Sequence, residues 1–426
     1  MEKAFTFYLL TLFLLMATSA LTQTNITTDQ LALLSSKSQI ISYPSHLLNK
    51  NWTSAVSVCH WIRVTCGSSH QRVNSLNLSN MALIGRIPRE FGNLSFLVSL
   101  DMGSNNFHGN LPQEMVHLRR QKFLDLSFNS FSGKVLSWFG FLHQLQVLNL
   151  GENSFPGSIP SSFSNISKFE ILNLKFNSIE GQIPKVIGSL VNLRELNLRG
   201  NIPEGIDNLH NMKVLSIQAN QLTGSIPFIY SHMHTSLSNY SQLQVLTLSE
   251  NDFDGPIHNE IGRLSNLQQL YLGYNHITGN FSTSLIRFYA SNCKIRGRIP
   301  DEVGYLSSLI DLDLTGNNLI GSIPTSIGNF SNLQRCSFSN NTLTGFIRDH
   351  ICKVEHLGTI YLGQNQLSGS LPNCLGNITS LREILLGSNK LSSNIPSSLW
   401  NLEDLMVLDL SSNNMVGSLP PGIGNL

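Results

Sequence analysis

The sequence predicts an α/β solenoid, and three observations carry that expectation. The first is a 24-residue unit, clearest at residues 309–332 (LIDLDLTGNNLIGSIPTSIGNFSN), that recurs along most of the 426-residue chain. The second is the spacing inside it: leucines at unit positions 1, 4 and 6 (Leu309, Leu312, Leu314), Asn317 at 9, Leu319 at 11, and Gly321 and Ile323-Pro324 at 13, 15 and 16. An LxxLxL run reads as a short strand with its apolar residues turned inward. The asparagine bends the chain and satisfies backbone groups of neighbouring turns from inside the fold. The third is the register of the copies. First positions fall at Val73, Leu97, Gln121, Leu145, Phe169, Leu193, Met212, Leu243, Leu267, Leu285, Leu309, Leu333, Leu357, Leu381 and Leu405, and eleven of the fourteen spacings are 24 residues. One unit cannot bury its own apolar face, so the copies must stack.

The N-terminus sets the compartment. Glu2-Lys3 precede an apolar run from Phe5 to Met16, followed by the small residues Thr18-Ser19-Ala20. The run is too short to span a bilayer, and its flanks suit a cleaved secretory signal at 1–20. The expected location is secreted or cell-surface, with no membrane-spanning segment in the chain. Net charge is +1 with 12% charged residues, which gives no reason to expect a nucleic-acid partner. Of the ten Asn-x-Ser/Thr sequons, those expected to carry glycans are Asn51, Asn93, Asn165, Asn239, Asn280, Asn329 and Asn377. Asn77 and Asn340 fall among strand residues and are expected to stay bare.

Residues 21–72 form a separate N-terminal cap ahead of the solenoid at 73–426. Thr28 to Ile41 reads as an amphipathic helix capped by Thr28 or Asp29. In the segment CHWIRVTC, Cys59 and Cys66 are expected to close a disulfide in an oxidising compartment, with Trp61 covering the first strand. The rival reading, a zinc site, has no second ligand pair nearby. A solenoid leaves an apolar edge open at its first turn, so a cap belongs here.

Three units are irregular: 19 residues from Leu193, 31 from Met212 and 18 from Leu267. Each irregularity follows its strand, so an unbroken inner sheet is expected, with distortion confined to the outer side.

The cap segment CHWIRVTC, the LxGxIP units and the signal segment together resemble the ectodomains of plant leucine-rich-repeat receptor-like kinases. Within them the chain is most similar to the branch holding the flagellin-type and bacterial-blight-type immune receptors. The resemblance implies a right-handed leucine-rich-repeat superhelix of about fifteen repeats. It also implies a peptide or protein ligand on the concave sheet, in immune or developmental signalling, and a leucine-rich-repeat co-receptor kinase as partner. In such receptors a membrane helix and a Ser/Thr kinase follow the repeats. Here the sequence stops at Leu426 inside a fresh repeat, and Arg63 stands where the family usually has glycine. A truncated product is therefore expected. The alternative function is a secreted inhibitor of cell-wall-degrading enzymes, similar to the polygalacturonase-inhibiting proteins, or a soluble decoy.

No catalytic motif, cofactor or metal site is expected. The sequence holds no HExxH, GxSxG or phosphate-loop glycine run, and Asp101, Asp125, Asp313 and Asp409 recur at unit position 5 as part of the repeat. His232-Met233-His234 reads as an exposed loop in the 31-residue unit. Cys293 and Cys336 take core positions and read as buried thiols, whereas Cys352 and Cys374 stand in adjacent units at nearly equivalent outer positions and could bridge.

Binding would use positions 2, 3, 5, 7 and 8, which face away from the core in every unit. Glu170 and Arg194 share position 2 and should neutralise each other. Lys175 and Arg199 share position 7, with Phe176 beside them, and two adjacent cations invite an anion such as a peptide carboxylate. Tyr271, Tyr274 and Tyr289 are expected to form an aromatic patch on neighbouring rungs.

Overall fold

The structure, a computed structural model, describes residues 25–42, 47–135, 137–179, 183–198, 208–218, 223–225, 241–256, 264–278 and 285–418. The signal segment, Asn239, Asn280, Arg199 and the His232-Met233-His234 loop lie outside the described residues. The chain divides into two compact units, Met1–Phe169 with Phe176–Ser178, and Glu170–Lys175 with Ile179–Leu426.

In the first unit the cap starts with helix α1 (Ile26–Ser38), two residues earlier than the sequence suggests and with a different cap. Asn25 caps it: its Oδ1 accepts from the Thr28 backbone N–H at 3.0 Å, and Thr28 Oγ1 accepts from the Asn25 N–H at 3.3 Å. Asp29, one of the two expected caps, is fully buried, and its carboxylate accepts from Arg72 Nε (2.8 Å), Arg72 Nη2 (2.6 Å) and the Val73 N–H (2.9 Å). The helix ends at Ser38, because Ile40–Ser42 leaves it to pair antiparallel with Ile84–Gly85. After the short helix α2 (Leu47–Asn51), Trp52 and Trp61 stack with ring centroids 5.2 Å apart, both buried, and the Cys59–Cys66 disulfide is closed. Arg63 sits at φ +69°, a left-handed conformation that glycine adopts without penalty, which accounts for the glycine usual in similar caps.

Behind the cap, Val73–Asn77, Ser99–Asp101, Phe123–Asp125 and Val147–Asn149 form a parallel ladder in matched register, and Val64–Cys66 pairs antiparallel to its first strand. Leu76, Leu100, Leu124 and Leu148 point inward at 0% exposure. A second ladder, not expected from the sequence, runs Ile84–Gly85, Asn106–Gly109 and Ser130–Phe131. The cap thus lays one strand on the first edge of each ladder, where unpaired backbone groups would otherwise invite association. Between the ladders Phe107, Phe131 and Phe155 stack at 6.2 and 6.3 Å.

The inner ladder of the second unit has, among the described residues, eleven parallel strands in sequence order: Ile171–Asn173, Glu195–Asn197, Val214–Ser216, Val245–Thr247, Gln269–Tyr271, Arg287–Tyr289, Asp311–Asp313, Arg335–Ser337, Thr359–Tyr361, Glu383–Leu385 and Val407–Asp409. The 19-, 31- and 18-residue spacings all pass through without a register break, as expected. The unit at 309–332 shows how a regular repeat closes. Gly321 takes φ +77°, as the position-13 turn requires, and Pro324 leads into a one-turn 3-10 helix, Thr325–Asn329. Asn317 at position 9 is buried; its Nδ2 donates to the carbonyls of Ala290, Leu314 and Thr315 (2.8, 2.8 and 3.3 Å), and its Oδ1 accepts from the Ile295 N–H (3.2 Å). Cys352 and Cys374 are bridged, and Cys293 and Cys336 are free and buried.

The last rung is less covered than the others. Leu405, Leu408 and Leu410 are half-buried, while their counterparts Leu381, Ile384 and Leu386 are 0% exposed, and Val407 is 42% exposed. At roughly 25 cal/mol per Å², uncovered apolar area removes much of what holds a rung down. Amides of Val407–Asp409 should therefore exchange hydrogen faster than those of Glu383–Leu385 in the 426-residue chain. Equal protection of both strands in a monomer would contradict this.

Candidate ligand-binding face

The face available to a ligand is the side of the inner ladder opposite the leucines. In the second unit its central stretch carries a connected polar cluster. Tyr271 and Tyr289 hold position 5 of neighbouring rungs; their rings stack at 4.8 Å, 6° from parallel. Tyr289 donates its hydroxyl to Asp311 Oδ2 at 2.7 Å, and Arg287 Nε donates to the same oxygen at 2.9 Å. Tyr271 donates to Gln269 Oε1 at 2.9 Å. Three rungs beyond Tyr289, Tyr361 donates to Glu383.

Burial raises the phenol of Tyr289 well above its ordinary value, and the hydrogen bond to Asp311 adds to the rise. Tyr271 and Tyr361 are raised too, mainly by burial, and Tyr361 also by its bond to Glu383. All three therefore remain neutral donors around neutral pH. Their hydroxyls are committed, but the stacked rings offer wide, rigid contact area. Arg335 stands beside Asp311 in the same row, is exposed, and forms no ion pair among the described residues.

Of the expected aromatic patch, the structure joins Tyr271 and Tyr289 and sets Tyr274 apart. Tyr274 occupies the position-8 turn at φ +59°, is 59% exposed and makes no ring contact with either among the described residues. The Glu170–Arg194 pair forms, with Arg194 Nη1 3.5 Å from Glu170 Oε2. Lys175 is half-buried, and its backbone N–H donates to Asn173 Oδ1; Phe176, at φ +52°, is 43% exposed. Sequence reading put position 3 on this face but did not single out Gln269, Arg287, Asp311 and Arg335, which recur there in four consecutive units where strand neighbours meet, or Glu383 two units further on.

Asn93, Asn165, Asn329 and Asn377 each end a 3-10 helix on the outer side and are exposed, away from the ladder face. Asn51 is half-buried, its Oδ1 taken by the Ile62 N–H. Among the described residues no cluster of His, Cys, Asp and Glu could hold a metal ion, and no helix is long and apolar enough to cross a membrane.

The leucine rich repeat N-terminal domain family matches residues 26–67, and the Leucine Rich Repeat family matches 122–142, 144–166, 308–330, 380–402 and 404–426. The chain has the leucine-rich-repeat solenoid fold, with a leucine-rich-repeat N-terminal cap. This leucine-rich-repeat chain is 42% identical over 80 residues to the LRR receptor-like serine/threonine-protein kinase EFR of Arabidopsis thaliana, covering 19% of the chain and 8% of the relative. It is 35% identical over 96 residues to the leucine-rich repeat receptor protein kinase EMS1 of the same plant, covering 22% and 8%. The match thus spans less than a tenth of each relative's length.

Among solved structures, the Arabidopsis receptor kinase HAESA, in complex with the peptide hormone IDA and the co-receptor SERK1, matches with TM-score 0.78 and 29% identity over 94% of this chain and 72% of that one. The plant peptide hormone receptor RGFR1, in complex with RGF2, matches at 0.69 and 29%, covering 83% and 61%. The leucine-rich-repeat chain resembles these receptor ectodomains rather than a catalytic domain.

Proposed function

We propose that the protein is the extracellular ligand-recognition module of a plant receptor kinase, and that an extended peptide lies along the inner ladder of the second unit. The Tyr271–Tyr289 stack, locked by Asp311 and Arg287, supports this most directly. A preorganised aromatic platform loses little entropy on binding, and such residues dominate peptide and protein recognition. The likeness to hormone-bound receptor ectodomains supports the same reading. Tyr274 adds an exposed ring beside the platform, and the acidic end of the peptide is assigned, on sequence grounds, to the stretch holding Lys175 and Arg199. Of the sequons expected to carry glycans, Asn329 and Asn377 are exposed on the outer side of the second unit, and a leucine-rich-repeat co-receptor would complete the assembly.

The reading is tested with a displayed random-peptide library selected on the secreted chain. Selected peptides should bind the Tyr271→Ala/Tyr289→Ala variant at least about tenfold more weakly, as loss of a central aromatic pair predicts. Equal binding to both proteins, with unchanged thermal unfolding, would remove the assignment.

A further inference from the structure

Charge is divided unevenly along the chain. The first compact unit holds twelve Lys and Arg against seven Asp and Glu, a net +5; the second holds fifteen against nineteen, a net −4. The near-neutral total conceals two fields of opposite sign.

On the inner ladder of the first unit the two signs also lie at opposite ends of the strands. Most of its carboxylates are engaged: Asp29 with Arg72, Glu90 with Arg89 and Ser35, Asp101 with the Gly103 N–H, and Asp125 with Ser127 and Asn149. Asp101 and Asp125 lie where the strands end. Where the strands begin, Arg119, Arg120 and Lys122 stand together just ahead of Phe123–Asp125, all exposed and in no ion pair among the described residues. Their backbone is fixed to the preceding rung by the Lys122 N–H donating to the Val98 carbonyl at 2.8 Å.

One of these cations is preorganised. The Arg120 guanidinium lies over the Phe96 ring, 4.0 Å from its centroid. Arg72, itself anchored to buried Asp29, also lies over that ring at 4.6 Å, and His70 meets it edge-on at 5.4 Å. A guanidinium held flat on an aromatic ring keeps its edge N–H groups free for a carboxylate and loses little freedom on binding one.

We propose that this edge of the first unit is a second interaction surface, separate from the ladder face of the second unit, and that it docks an acidic peptide segment of a partner protein. The cations are gathered at a single rung, since the next rung has His143, Gln144 and Gln146 at the matching places, and Lys168 beyond it donates to Gln144. A uniformly charged polysaccharide would call for cations repeating from rung to rung. A compact cluster of Arg, Lys and an aromatic ring suits a short Asp/Glu-rich stretch of protein instead, with Arg and the ring, the residue types enriched at protein interfaces, as its anchors.

The test uses the full chain with a labelled oligoglutamate peptide and, separately, a labelled oligogalacturonide. The peptide should bind the unmodified protein with affinity that falls as salt is raised, and Arg120→Glu/Lys122→Glu should weaken it about tenfold or more. A control, Lys50→Glu/Lys134→Glu, changes the charge of the same unit equally at exposed sites elsewhere and should leave binding intact. Matching circular dichroism and melting of both variants confirms that each is folded. Equal loss in both variants, or no peptide binding at low salt, would overturn the proposal. Tighter binding of the oligogalacturonide through the same two residues would overturn the choice of partner.

Discussion

Asp29→Ala should destabilise the cap by about 3–5 kcal/mol, the range found when one partner of a buried ion pair is removed. Asp29 is fully enclosed and Arg72 nearly so, with side-chain exposures of 0% and 6%. Without the carboxylate, Arg72 is left as a desolvated cation over Phe96, and the Val73 N–H loses its acceptor. Helix α1 would then lose its main polar tie to the first strand, so the loss should appear first in the cap. Emission from the stacked pair Trp52 and Trp61 reports there, and its urea midpoint should fall ahead of the bulk circular dichroism. Asp29→Leu combined with Arg72→Met should recover most of the loss, because a well-packed apolar pair can replace a buried ion pair. A single-variant loss below about 1 kcal/mol would show that the pair is not structurally important.

The repeat arithmetic was legible because strand geometry repeats with the unit. Position 1, 4 and 6 residues such as Leu309, Leu312 and Leu314 are all 0% exposed, and fifteen expected strands appear at fifteen places among the described residues. The Glu170–Arg194 and Tyr271–Tyr289 pairs could be read for the same reason: equal positions in consecutive units are neighbours. What escaped was anything not set by the period. Asn25, Thr28 and Asp29 all have side chains able to cap a helix, and only the extended backbone at Asn25 decides among them. The Asp29–Arg72 pair joins residues 43 apart across the cap boundary, where no repeat relates them. Tyr274 was grouped with the other tyrosines on strand logic, but position 8 has already left the strand for a left-handed turn. The second ladder was missed because each of its rungs offers a single regular apolar residue, such as Phe107 or Phe131, and no LxxLxL run to mark a strand.

The asparagine ladder makes the other large expected effect, with a built-in comparison of opposite sign. Asn341 is buried; its Nδ2 donates to the carbonyls of Leu314, Phe338 and Ser339 at 3.0, 3.0 and 3.1 Å, and its Oδ1 accepts from the Leu319 N–H at 3.0 Å. Asn341→Ala strips four backbone groups of a partner at once, in a core too tightly packed to admit water freely. Each buried group left without a partner costs about 1–3 kcal/mol, so a total loss of about 3 kcal/mol or more is expected even if some groups find substitutes. Asn341→Asp keeps the acceptor and removes the donors, and should be nearly as damaging. At the equivalent place one repeat holds Cys293, whose thiol reaches the Leu272 and Ser291 carbonyls at 3.2 and 3.7 Å. Burial pushes that thiol up to about 11, so it remains a protonated, weak donor. Cys293→Asn supplies the amide that the other rungs use and should stabilise the chain by about 1 kcal/mol, the net worth of a hydrogen bond gained. Urea unfolding of the variants side by side decides the matter. If Asn341→Ala loses less than about 1 kcal/mol, or Cys293→Asn destabilises, then the ladder is not what ties one rung to the next.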